Sequence, residues 1–220
     1  MFASALISNT IPPLRTTDTV QRALERLSDF KLSHLPILED QQYLGLIAED
    51  ELIEVRDSQE LLGGLSLTIL NSFVYPDSHV YDVIRLFNQL SLSVVPVLDY
   101  KKNYLGIIST HSLVAYTADL FAVKDPGGII VLEISNRNNS LSHMAQIVEA
   151  DNAQILSSYV QSFPDSTKLE VTLKINKTEL SGIIASFERY DYQVKAVFNS
   201  TATDQGTEDR FNSFMNYLNV

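Results

Sequence analysis

Apolar residues recur at helical spacing from Val20: Val20, Ala23, Leu24, Leu27 and Phe30 share one face. The same stripe returns as Val80, Val83, Ile84, Phe87 and Leu90. The segments after the two stripes also match. Leu32-Ser33-His34-Leu35-Pro36-Ile37-Leu38 aligns with Leu92-Ser93-Val94-Val95-Pro96-Val97-Leu98. An acidic turn comes next, Glu39-Asp40 or Asp99. Then come Tyr43-Leu44-Gly45-Leu46-Ile47 and Tyr104-Leu105-Gly106-Ile107-Ile108. Both runs are short, apolar and bounded by turn residues, so each predicts a strand. A last helix is expected near Asp50 and near His111. The unit is helix, strand, turn, strand, helix, used twice. One such unit leaves a sheet face open, and two facing copies bury it.

After Asp125-Pro126-Gly127-Gly128 the pattern changes. Ile129 to Ile134 predicts a buried strand. Leu141, Met144, Ala145 and Val148 form a helical stripe, and residues 155–163 predict a second strand. Leu169, Val171, Leu173 and Ile175 alternate with polar residues, as in a half-buried strand. Asn176 and Glu179 have the spacing of a capping box for a helix carrying Leu180, Ile183, Ile184 and Phe187. Tyr192, Val194, Ala196 and Phe198 alternate with Gln193, Lys195 and Val197 and predict a final strand. The order is βαββαβ, the ferredoxin-like arrangement. Residues 199–206 read as a polar linker. Phe211, Phe214, Met215 and Leu218 predict a short amphipathic tail helix.

Composition narrows the chemistry. The chain has 220 residues with 16 Lys+Arg against 27 Asp+Glu, a net charge of -11. Nucleic acid is an unsuitable partner for such a surface. With no cysteine, thiolate metal sites and cysteine nucleophiles are excluded. His34, His79, His111 and His143 stand in no metal-ligand spacing. Neither a Gly-x-Ser-x-Gly elbow nor a Gly-rich phosphate loop occurs. No enzymatic activity and no resident cofactor are expected. The longest uncharged stretch, residues 61–76, is too short and too polar to span a bilayer. No secretory pattern is present. A soluble cytoplasmic protein is expected.

The repeated residues resemble a pair of CBS domains, the tandem named after cystathionine β-synthase. The resemblance covers residues 1–121, with repeats of about 1–60 and 61–121. It implies binding of an adenine nucleotide (AMP, ADP or ATP) between the repeats, and a homodimer. In that family the second strand is followed by Gly, two apolar residues, Thr or Ser, two variable residues and Asp. The hydroxyl serves phosphate, and the Asp serves ribose. The first repeat has Gly45-Leu46-Ile47-Ala48-Glu49-Asp50-Glu51, with Ala48 in place of the hydroxyl and Glu51 in place of the Asp. The second has Gly106-Ile107-Ile108-Ser109-Thr110-His111-Ser112, which keeps the hydroxyl and has Ser112 in place of the carboxylate. Each repeat therefore keeps a different half. The resemblance places phosphate near Ser109, Thr110, His111 and Ser112, and ribose at Glu51. Adenine falls near Leu35, Pro36, Val95 and Pro96, and Thr16 and Thr17 add hydroxyl contacts.

Residues 122–198 resemble an ACT domain, a small module that often senses amino acids. Its ligand loop would hold Asn136, Asn138, Asn139 and Ser140. The family's glycine is absent from this loop. The whole layout, a CBS pair with an ACT-like domain and residues 199–220 as linker and tail, is similar to acetoin-utilisation AcuB-type proteins. It implies a regulatory protein that responds to a nucleotide or an amino acid and acts on a partner protein. The alternative is an assembly homodimer with vestigial clefts.

Overall fold

The structure is a computed structural model that describes residues 1–66, 69–135, 140–164 and 166–199. The chain divides into two compact units, Met1–Tyr116 and a second that begins at Thr117.

In the first unit, β1 (Leu14–Arg15), α1 (Val20–Phe30), β2 (His34–Glu39), β3 (Gln42–Ala48) and α2 (Glu49–Ile53) form one repeat. α3 (Val80–Leu90), β4 (Val94–Leu98), β5 (Tyr104–Ser109) and α4 (Thr110–Leu120) form the other, and α4 from Thr117 on belongs to the second unit. α1 starts where the Thr19 side chain accepts from the Arg22 amide, and α3 where His79 accepts from Tyr81. Both helices stop on a left-handed non-glycine residue, Lys31 at φ 53° and Ser91 at φ 50°. The buried stripes are narrower than the sequence pattern predicts. Val20, Ala23 and Leu27 are buried, as are Val80 and Val83. Phe30, Ile84 and Leu90 stay about two-fifths exposed, at 39%, 41% and 43%.

Each repeat pairs its two strands antiparallel with the same irregularity. Ile37 faces Gly45 and then Leu38 faces Tyr43, which leaves Leu44 bulged. Val97 faces Gly106 and then Leu98 faces Tyr104, which leaves Leu105 bulged. The chain just ahead of each repeat's helix adds to that repeat's sheet, as a third strand in the first and as a single bridge on the two-stranded second. β1 runs parallel to β2, and Val74 makes the equivalent bridge to Val97.

The stretches before these strands cross over to the opposite repeat. The 3₁₀ turn Ala3–Leu6 lies against the start of the second repeat, with the Ala3 amide on the Ser78 carbonyl (2.8 Å) and Ser4 on Pro76 (2.9 Å). The 3₁₀ turn Leu62–Gly64 does the same to the first repeat, with Leu62 on Asp18 and Gly63 on Thr16, both 2.9 Å. Further along, Ser8 bridges to Ile107 and Leu70 to Leu46. The exchange explains the paired glycines. A Cβ on Gly45 would stand 1.9 Å from Ile69 Cγ2, and one on Gly106 would stand 2.5 Å from Asn9 Oδ1. Both positions have positive φ, 156° and 146°. Two apolar cores result, one centred on Leu35, Ile37 and Ile47, the other on Val95, Val97 and Ile107.

The second unit is βαββαβ: β6 (Gly128–Ser135), α5 (Leu141–Ala150), β7 (Ile155–Ser162), β8 (Lys168–Ile175), α6 (Ser181–Arg189) and β9 (Gln193–Phe198). Its antiparallel sheet runs β7-β8-β6-β9, the ferredoxin-like order. Ile130, Leu132 and Ile134 meet Val171, Leu173 and Ile175 on the helix-covered face, with Met144, Ile183 and Phe187 above them.

Two sequence patterns break here for local reasons. The register between β6 and β9 shifts between Val131 and Leu132, so Val197 rather than Phe198 joins the core. Phe198 is 51% exposed. The capping box does not form either. α6 begins at Ser181, whose amide donates to the Glu179 carboxylate, while Asn176 Oδ1 accepts from the Gln154 amide.

Candidate functional site

The two positions the family motif singles out are the ends of β3 and β5, where each strand turns into a helix. The two ends differ. β5 ends on Ser109, 8% exposed, whose Oγ accepts from the Ser112 amide (3.1 Å) and meets Ser112 Oγ at 3.0 Å. That is an N-cap, and α4 runs for eleven residues behind it. β3 ends on Ala48, which offers no side-chain cap, and α2 lasts five residues. Glu49, Asp50 and Glu51 crowd its first turn. They suit the positive end of a helix, and they set a negative field there. Glu51 is half-buried; Thr110 and His111 are exposed and Ser112 half-buried.

Ser93 ties the two entrances together. Its Oγ accepts from the amides of Ser33 (3.1 Å) and His34 (2.9 Å), across the repeats. Its carbonyl accepts from Thr110 Oγ1 (3.2 Å) and from the Thr110 amide (3.3 Å). In the first repeat the Ser33 carbonyl accepts from the Glu49 amide at 2.9 Å. The His34 ring, 3.0 Å from Ser33 Oγ, has its pKa lowered by burial, against the pull of Asp50. Neither serine was among the residues expected from sequence. Their matching places in the repeat were the available signal.

The remaining expected residues lie on the strands and the crossing turns. Leu35 and Val95 are fully buried within the two cores, and Pro36 and Pro96 are buried beside them. Thr16 is half-buried. Its amide donates to Leu38 O (3.2 Å), and its carbonyl accepts from the Gly63 amide (2.9 Å). Thr17 is exposed. Beside them Asp18, 7% exposed, accepts from the Arg15 amide (2.9 Å) and pairs with Arg22 (3.4 Å) and Arg26 (3.6 Å). Ser78 takes the same place in the second repeat and accepts from Tyr75 N at 3.1 Å, without charge. The hairpin turns also meet. Tyr104 N donates to Gln41 O (3.3 Å), and Tyr43 OH donates to Ser72 O (2.8 Å). Burial raises the pKa of both tyrosines.

In the second unit Ser140 caps α5, its Oγ accepting from the His143 amide at 3.3 Å. Asn136, Asn138 and Asn139 lie outside the described residues. Among the described residues no group of three or more His, Asp or Glu is placed to hold a metal ion. No described helix is long and apolar enough to cross a membrane.

The CBS domain family model matches residues 3–58 and 71–119, one segment for each repeat. Over these residues the chain belongs to the CBS-domain family, as a tandem pair followed by a ferredoxin-like unit. Similar solved structures include a CBS domain pair/ACT domain protein from Thermotoga maritima. It is 16% identical with a TM-score of 0.48, over 53% of this chain and 96% of that one. Another is a putative acetoin utilization protein (AcuB) from Vibrio cholerae, 16% identical with a TM-score of 0.49, over 56% and 95%. CBSX2 in complex with AMP is 18% identical with a TM-score of 0.47, over 56% and 98%.

Proposed function

We propose that this protein is a non-catalytic cytoplasmic regulator whose CBS pair binds an adenine nucleotide. The observation that carries the reading is the unequal pair of strand ends, one with a hydroxyl and a long helix, the other with a carboxylate. Phosphate goes to the start of α4, where Thr110 and His111 are exposed and the helix dipole favours an anion. Glu51 accepts from the ribose hydroxyls. The base lies along Leu35-Pro36 and Val95-Pro96, with Thr16 and Thr17 at its edge. Glu49, Asp50 and Glu51 repel extra phosphates, so AMP binds more tightly than ATP in the absence of magnesium. The ACT-like unit serves as a second sensor, for an amino acid at residues 136–140, or as a dimerisation module. Nucleotide shifts the protein between states only by its differential affinity for them, and that difference is what a partner protein reads.

Calorimetric titration with AMP, ADP and ATP, with and without magnesium, tests this. Thr110→Val and His111→Ala leave the Ser109 cap intact and should weaken AMP binding together. Unchanged affinity in both would remove phosphate from the start of α4.

A second reading has its own support. α4 buries none of its residues, and Val114 is 61% exposed. Ile53 of α2 is 64% exposed. Such apolar helix faces suit a homodimer that assembles without nucleotide. Sedimentation with and without AMP separates the two readings.

A further inference from the structure

α5 and α6 pack side by side on the second unit's sheet. Facing residues are small at Ala150 and Ser186, and a groove of about 120 Å³ opens between the helices. Ile147, 4% exposed, and Ala150 give it an apolar side. The other side is built of donors. Arg189 stands in the last turn of α6, its guanidinium 5.4 Å from the centre of the Tyr190 ring. Its Nη2 donates to Ser186 Oγ at 3.4 Å. The stacking and the hydrogen bond hold a planar donor fork ready before any ligand arrives.

Across the groove, His143 Nδ1 meets Tyr192 OH at 2.9 Å, and the Tyr190 ring meets the imidazole edge-on at 4.9 Å. In the tautomer whose Nδ1 accepts from the Tyr192 hydroxyl, Nε2 is the donor. Gln146 adds an amide. No carboxylate is among the described residues that line this groove, although the chain carries 27 acids against 16 bases.

We propose that this groove binds a short-chain aliphatic carboxylate. Its oxygens meet Arg189, Ser186 and His143, and its alkyl end rests on Ile147 and Ala150. Charge and fork geometry select the carboxylate. The volume excludes a nucleotide. The missing acid selects against an amino acid, whose ammonium would find no counter-charge. The site shares no residue with the nucleotide cleft, and it adjoins residues 136–140 through the Ser140 cap on the His143 amide.

Titration of the full chain with sodium butyrate, 2-aminobutyrate and inorganic phosphate, read by calorimetry, tests the assignment. Saturable binding of butyrate, weaker binding of 2-aminobutyrate and weaker binding of phosphate are expected. Arg189→Gln should weaken butyrate by about tenfold or more, as loss of a charged bidentate contact does. Ala150→Phe should fill the groove and abolish binding. Arg189 and Ala150 are both exposed, and circular dichroism checks that the variants fold. Absence of butyrate binding overturns the proposal, and so does phosphate or 2-aminobutyrate binding more tightly. Full retention of butyrate affinity in both variants overturns it as well.

Discussion

The two repeats share a backbone plan down to the bulge, yet their second helices differ twofold in length. α4 has eleven residues and α2 has five. The strand before each helix ends in the same geometry, with its entrance amide bonded to the carbonyl of Ser93 or Ser33. The difference lies in the side chain at the turn. Ser109 satisfies an orphan amide of α4, and Ala48 has no side-chain oxygen to do the same for α2. The acids of α2 favour the helix start through its dipole. The duplicated frame therefore keeps its bulge and its crossing segments with a serine at one turn and an alanine at the other.

The largest expected effect breaks the equivalence of the glycines. Gly45→Ala drives a methyl into Ile69 at a site of positive φ and should cost about 3 kcal/mol. Gly106→Ala meets the mobile end of Asn9 first, together with Ile7 Cγ2 at 2.6 Å, and should cost about 1–2 kcal/mol. Urea denaturation of the two variants would show it. Equal costs would mean that the crossing segments yield alike.

A smaller effect sharpens the helix comparison. Ser109→Ala should lose about 1 kcal/mol, and Ala48→Ser should gain up to about that much. Thermal melts read both. No gain from Ala48→Ser would mean that α2 is held short by something other than its missing cap.

The smallest effect separates His34 from Val94, its counterpart. Burial lowers the His34 pKa below its ordinary value of 6.5. Between that value and the lowered one the unfolded chain binds more protons, so stability falls as pH falls through this window. Above about 6.5 the contribution is fully present. His34→Gln should flatten the slope of melting temperature between pH 7 and pH 5, and an unchanged slope would place the dependence elsewhere.

Much of the fold was legible in the chain. Period and composition marked α1 to α4 and β2 to β5, because each buries one face and alternates or cycles accordingly, while the two-residue β1 and the 3₁₀ turns are too short to show a period. The βαββαβ order came from the same signal. The crossing of Met1–Leu6 and Glu60–Leu65 was not legible. It is carried by backbone amides on the carbonyls of Thr16, Asp18, Pro76 and Ser78, which leave no mark on residue type. The inward turn of Val197 depends on a bulge that alternation alone does not announce. At the candidate site, Ser109, Thr110 and Glu51 stood out through the repeat motif. Ser93 did not, since a serine that binds amides across a pair looks like any turn serine.

The reciprocal crossing also bears on how the chain acquires its structure. Neither repeat can complete its own sheet edge until distant chain has arrived, Leu70 beside Leu46 in the first and Ser8 beside Ile107 in the second. Loop closure over such distances is paid before the contacts it permits, so the pair should fold slowly and as one cooperative event. A single excised repeat would lack the turn that covers its first helix and would expose a bare strand edge, inviting a second copy to supply the missing segment.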